Sequence, residues 1–196
     1  MLYEINGLPA HILLLHVTVI LVPVAALCTV LSLVWPTARR RLGVVTPLLA
    51  VLAAAVVPAT QLAGEWLALR VVHTPVLEEH IARGRNLEWW VAAVALLAVG
   101  QWLWFRYRPQ PREATDMYRP DSRVTRSTGT GSGGTRLATK RRGAVGGSTG
   151  RALMLVTVLV TVAVAAGTVT QVVLIGEAGS RAVWTGNYSQ DPVDLP

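Results

Sequence analysis

Four long apolar runs separated by polar segments dominate the chain: Ala10 to Trp35, Val44 to Leu69, Trp89 to Tyr107 and Ala152 to Ile175. About 20 apolar residues at a rise of 1.5 Å per residue cross a hydrocarbon core roughly 30 Å thick. Each run is therefore predicted to be a spanning helix. The fold class expected is all-α, an integral membrane up-down four-helix bundle. Pro36 ends the first run, and Pro47 and Pro58 fall in the second, where neighbouring helices can satisfy the carbonyls they free. Trp89-Trp90 and Trp102, Trp104 and Tyr107 bracket the third run like two interfacial aromatic belts.

The segments between the runs complete the plan. Residues 1–107 hold the first three helices and, at 70–88, a polar connection with His73, Pro75, Glu78, Glu79, His80, Arg83, Gly84 and Arg85, with room for a short interfacial helix. Residues 108–151 change abruptly to Arg, Lys, Gly, Ser, Thr and Pro without apolar periodicity, which reads as a disordered basic loop. The fourth helix is expected at 152–175 and a polar tail at 176–196.

At 100° per residue, Ala54, Pro58, Gln61 and Glu65 form a narrow stripe on the second helix. Thr157, Thr161, Thr168 and Gln171 form another on the fourth, interrupted by Val164. Small and polar stripes on membrane helices usually face other helices. On the first helix His16 shares a face with Ile20, Pro23, Leu27 and Val30, and His11 lies about 140° away. The expectation is that His11 sits at the water boundary and His16 is the buried histidine, hydrogen-bonded to Glu65 or Gln171 from another helix.

Charge sets the orientation. The segments containing Arg39, Arg40, Arg41 and residues 106–151 carry 14 of the 18 basic residues and three of the 11 acids. The opposite segments carry four basic residues and eight acids, so the two sides stand at +11 and −4 within the total of +7. The positive-inside rule places the arginine side in the cytoplasm and both termini outside. Glu4 and the lack of Lys or Arg before the first run argue that this helix is retained and not removed as a signal peptide. The single Cys28 allows no intrachain disulfide and reads as a small packing residue.

Ionisable residues at membrane depth are candidates for function. His16 and His80, from two segments, suit a b-type haem or a divalent metal. Glu65, Gln61 and Gln171 would support them or accept a proton, and Glu65 has Arg70 and Arg181 as candidate ion-pair partners. The basic run Lys140 to Gly143 suits anionic lipid headgroups. Nucleic acid is not an expected partner, because no aromatic platform is interleaved with the charges. No nucleophile elbow, phosphate loop, HExxH or CxxC occurs, so the sequence gives no support for an enzyme.

AHILLLH in the first helix, AGEWL after the second, EEHIARG before the third and GEAGSRAVW after the fourth together resemble the domain of unknown function 2231 family of small four-helix bacterial membrane proteins. In that pattern Ile12 replaces a proline, Glu177 a closing histidine and Ser180 an alanine. The matching positions are His11, His16, Glu65, His80, Gly84, Gly176, Gly179 and Trp184. The resemblance implies a multi-pass protein of the bacterial plasma membrane with an outer-rim motif of Gly84, Gly176, Glu177, Gly179, Arg181 and Trp184; it implies no activity. The functional expectation is an accessory or structural component whose polar outer rim docks another membrane protein complex. The alternative is a haem- or metal-binding redox bundle using His16 and His80.

Overall fold

The computed structural model describes residues 3–107 and 147–185. It is an all-α bundle preceded by a small hairpin: β1 (Glu4–Ile5), β2 (Leu8–Pro9), α1 (Ala10–Val34), α2 (Pro36–Leu42), α3 (Val45–Ala68), α4 (Pro75–Tyr107) and α5 (Gly147–Trp184). The four long helices α1, α3, α4 and α5 are each long and apolar enough to cross a membrane, and the chain is a multi-pass membrane protein. The basic loop proposed at 108–151 lies outside the described residues except for its last five, 147–151, which begin α5.

Two boundaries differ from the sequence expectation. The polar connection at 70–88 is helical from Pro75 onward, so the turn between α3 and α4 shrinks to six residues, 69–74. Proline at the first position of a helix loses no hydrogen bond, and Glu78 in the first turn complements the helix dipole. Likewise α5 continues past Ile175 to Trp184, taking GEAGSRAVW into the helix. At 33 and 38 residues, α4 and α5 extend to about 50 Å and 57 Å, well beyond a hydrocarbon core. Their polar ends are helical because a helix satisfies its own backbone, whether or not lipid surrounds it.

At the other end of the bundle Pro36 stops α1 as expected and then opens α2, which carries Arg39, Arg40 and Arg41. The Arg39 guanidinium lies 3.7 Å from the centroid of the Phe105 ring, joining this short helix to the end of α4. Asn6 and Gly7, both at positive φ, make the tight turn between β1 and β2, an Asn-Gly pair of the kind that two-residue hairpins favour.

Around the bundle α1 packs on α3 and α5, and α4 packs on α3 and α5, so that α1 and α4 face each other across a diagonal. The centre is built from small residues: Ala25, Ala26, Ala50, Ala53, Ala63 and Ala98 are all buried. Large apolar residues point outward, with Ile20, Leu96, Leu159 and Val173 exposed. This inversion of a soluble core is what lipid dictates. Lipid is as apolar as leucine, so helices associate through close approach and polar seams. Thr18 and Thr60 share a hydrogen bond of 3.0 Å, and Ser32 and Thr46 one of 2.9 Å, tying α1 to α3 at two levels. On α5 the stripe falls as expected, with Thr161 and Thr168 fully buried. The stripe on α3 does not face the centre, which is lined instead by Ala50, Ala53, Val57 and Thr60, about 100° round the helix. It lies along the groove between α3 and α4.

Gly167 has the least room of the described glycines, because the six-membered ring of Trp90 occupies the space a Cβ would need. Gly167→Ala is expected to cost about 1–3 kcal/mol despite the better helix propensity of alanine. Gly100, whose Cβ would meet nothing within 4 Å, is the control. Gly100→Ala should leave the thermal midpoint in detergent unchanged or slightly raised, and equal midpoints for both variants would refute the packing role of Gly167.

Candidate functional site

The histidines of α1 are placed the other way round from the sequence expectation. The buried stripe of α1 includes Thr18, Val22, Ala25 and Thr29. His11 precedes Thr18 by seven residues and falls within about 20° of it, whereas His16 precedes it by two and lies about 160° away. His11 is accordingly half-buried and His16 exposed. The apolar face that His16 shares with Ile20 and Leu27 is a lipid-facing one, since both of those residues are exposed. The Nδ1–H of His16 donates to the Ile12 carbonyl of its own helix at 2.6 Å. Among the described residues no hydrogen bond joins His16 to Glu65 or Gln171, and His16 and His80 are not brought together as a pair.

His11 and His80 are. Their ring centroids stand 6.4 Å apart at an interplanar angle of 84°, across the diagonal between α1 and α4. Each ring is held in the same way. His11 Nδ1–H donates to the Thr60 carbonyl of α3 at 2.9 Å, and His80 Nδ1–H donates to the Ile175 carbonyl of α5 at 3.1 Å. Because a carbonyl can only accept, Nδ1 carries the proton in both rings, and in the neutral rings Nε2 keeps its lone pair. A glycine seats each ring. A Cβ at Gly64 would come within 2.8 Å of His11 Nδ1, and one at Gly179 within 3.0 Å of His80 Cε1. All four spanning helices thus contribute to the pair: two supply imidazoles, and the other two supply carbonyls and glycines.

Among the described residues no hydrogen bond joins the remaining candidates to this pair. Gln61 Nε2 donates to the Gly84 carbonyl at 2.9 Å, tying α3 to α4. Glu65 is 3.7 Å from Arg85, and its other expected partners are engaged elsewhere: Arg70 stacks on Trp66, and Arg181 pairs with Glu177. Gln171 is half-buried on α5, Gly176 and Trp184 are exposed, and Gly84 and Gly176 have open space where a Cβ would go. Among the described residues no group of three or more His, Cys, Asp or Glu side chains could hold a metal ion. Sequence reasoning missed His11 and Gly64. The signal for His11 was the stripe of small and polar residues it shares with Thr18, Ala25 and Thr29, and that for Gly64 the face it shares with Ala53, Val57 and Thr60.

His73 has a different task. In the turn between α3 and α4 its Nδ1–H donates to Glu78 at 2.8 Å and its Nε2–H to the Ala68 carbonyl at 3.1 Å. Only the imidazolium can donate both bonds. The hydrogen bond to Glu78 is the main cause that raises the His73 pKa above 6.5. The cation stands against the last carbonyls of α3 and the carboxylate in the first turn of α4, both favoured by the helix dipoles.

No protein-family model, curated protein or solved structure matches the chain.

Two outcomes follow from this geometry. His11→Ala removes an interhelical hydrogen bond and empties the space beside Gly64. It should cost about 1–2 kcal/mol of stability, against less than about 0.5 for His16→Ala, measured by unfolding in detergent; the reverse order would contradict the assignment of the buried histidine. For His73, a pKa raised in the folded state means that its stabilising contribution is complete below pH 6.5 and disappears as pH rises through the folded value. NMR titration should place His73 above 6.5 in the parent protein and move it down in Glu78→Gln.

Proposed function

We propose that His11 and His80 are the protein ligands of a metal centre, a b-type haem iron or a transition-metal ion, held in the bundle at its extracytoplasmic end. One observation carries this reading: two imidazoles from diagonal helices meet with both Nδ1–H groups tied to backbone carbonyls. Histidines that bind metals are characteristically oriented in this way, the second nitrogen fixing the tautomer and the direction of the ligating one. The two imidazoles would hold a haem iron, which would supply one-electron redox chemistry. A bare ion would complete its coordination with water or a small anion, given the lack of a third protein ligand nearby. This pair takes the place of the expected pair of His16 and His80, and it leaves Glu65 and Gln61 on the flank of the site.

The orientation supports an extracytoplasmic site. Arg39, Arg40 and Arg41 on α2, Arg106 near the end of α4 and Arg151 near the start of α5 gather at the end of the bundle opposite the histidines. This is the distribution expected of a cytoplasmic face, with the basic segment 108–146 available to anionic lipids on that side. Membership of the domain of unknown function 2231 family belongs to the same proposal, since His11, Glu65, His80 and Gly179, which carry the resemblance, lie at one end of the fold. A second reading, an accessory subunit that docks a membrane complex through this rim, is favoured by Leu69 and Val72. Both are more than four-fifths exposed in the turn beyond α3.

Absorption spectroscopy and metal analysis of the detergent-purified protein, before and after supply of haem, zinc and copper, separate the two readings. The metal-centre reading expects a Soret band or stoichiometric metal that is lost in His11→Ala and His80→Ala and kept in His16→Ala. A colourless protein that takes up neither haem nor metal, and that co-purifies with another membrane protein, would replace it with the accessory reading.

A further inference from the structure

The stripe on α3 that does not face the bundle centre lines a cavity of about 360 Å³ in the groove between α3 and α4. Pro58, Gln61, Leu62 and Glu65 form one wall and Arg85 and Glu88 the other. The lining mixes apolar and polar groups along the helix axis, with Glu88 near the level of Pro58 because α4 runs antiparallel to α3 and Gly84 is level with Gln61. Pro58 and Leu62 are apolar, and Leu62 is exposed on the lipid-facing surface, whereas Glu65 lies two turns beyond Pro58, about 10 Å toward the histidine end. Trp89, adjacent to Glu88, is also exposed, as expected of an indole at the headgroup level. The cavity therefore spans the boundary between acyl chains and headgroups.

Its polar groups are only partly matched to one another. Two carboxylates face one guanidinium, and the Arg85 to Glu65 separation of 3.7 Å is too long for a hydrogen bond. The amide nitrogen of Gln61 is committed to the Gly84 carbonyl, which turns the amide oxygen into the acceptor available to a ligand. A guest that satisfies this set has a cationic N–H donor group for Glu65, Glu88 and the Gln61 oxygen, an anionic oxygen for Arg85, and a chain to cover Pro58 and Leu62. We propose that the groove is a binding site for a phospholipid with a primary-amine headgroup. The ammonium would lie between Glu65 and Glu88 and the phosphate on Arg85. A quaternary amine has the same charge but no N–H to donate, so the site distinguishes ethanolamine from choline headgroups by hydrogen bonding. This inference does not rest on the metal centre: Gln61 and Glu65 flank the histidine pair, but among the described residues no hydrogen bond joins a lining residue to His11 or His80.

Lipid retention measures the site directly. The full-length protein would be reconstituted with equal amounts of phosphatidylethanolamine, phosphatidylcholine and phosphatidylglycerol, extracted gently, and its bound lipid identified by native mass spectrometry. The expectation is at least a several-fold excess of phosphatidylethanolamine, lost in the Glu65→Gln, Glu88→Gln double variant and reduced in Arg85→Gln. Glu177→Gln, which alters a carboxylate on α5 outside the groove, should keep the excess. Soluble phosphoethanolamine should be retained far less than the diacyl lipid, and equal retention would overturn the role given to Pro58 and Leu62. Equal retention of the ethanolamine and choline lipids, or an excess that survives the double variant, would overturn the proposal.

Discussion

A helix bundle in lipid has no hydrophobic driving force between its helices, and the architecture of this protein depends on that constraint. The backbone is satisfied within each helix, so association rests on how closely the helices approach and on the polar seams between them. Alanines at 25, 26, 50, 53 and 98 bring the axes together. The Thr18–Thr60 and Ser32–Thr46 bonds hold α1 against α3. Trp90 filling the hollow over Gly167 applies the same logic to α4 and α5.

At the histidine end this close packing orients two side chains. Gly64 and Gly179 are needed where imidazoles fill the space between helices, just as Gly167 is needed beneath an indole. The two rings are oriented by carbonyls of neighbouring helices, so the contacts that hold the bundle also choose which ring nitrogen is free. The six-residue turn at 69–74, across which His73 bonds the Ala68 carbonyl and Glu78, lets α4 return along α3. That return brings His80 to the level of His11, and it forms the groove in which Glu65, Arg85 and Glu88 meet.

Much of this was legible along the chain, in ways that particular residues make clear. Run length and composition identified the four helices, Trp35-Pro36 marked the first break, and Thr161 and Thr168 announced the packing face of α5. The Asn6-Gly7 dipeptide marks its hairpin turn in the same local way. The histidines show where the reading failed. His16 interrupts an apolar stripe, a position that would be buried in a water-soluble protein, and it is exposed here. In lipid the large apolar stripe faces outward, and the small and polar one, to which His11 belongs, faces in.

Hydropathy, proline positions and charge asymmetry, all properties of single segments, were enough for the sequence alone to determine a four-span membrane bundle with a histidine end and an arginine end. Which histidines meet was decided only in the tertiary structure. That pairing depends on the rotation of α1 about its axis and on the diagonal placement of α4, with its start at Pro75. Rotation is set by which face finds small partners on neighbouring helices, and no helix carries that information by itself. The same holds for the polar stripe of α3: its periodicity was plain, but only the position of α4 turned it from a bundle core into the wall of a groove.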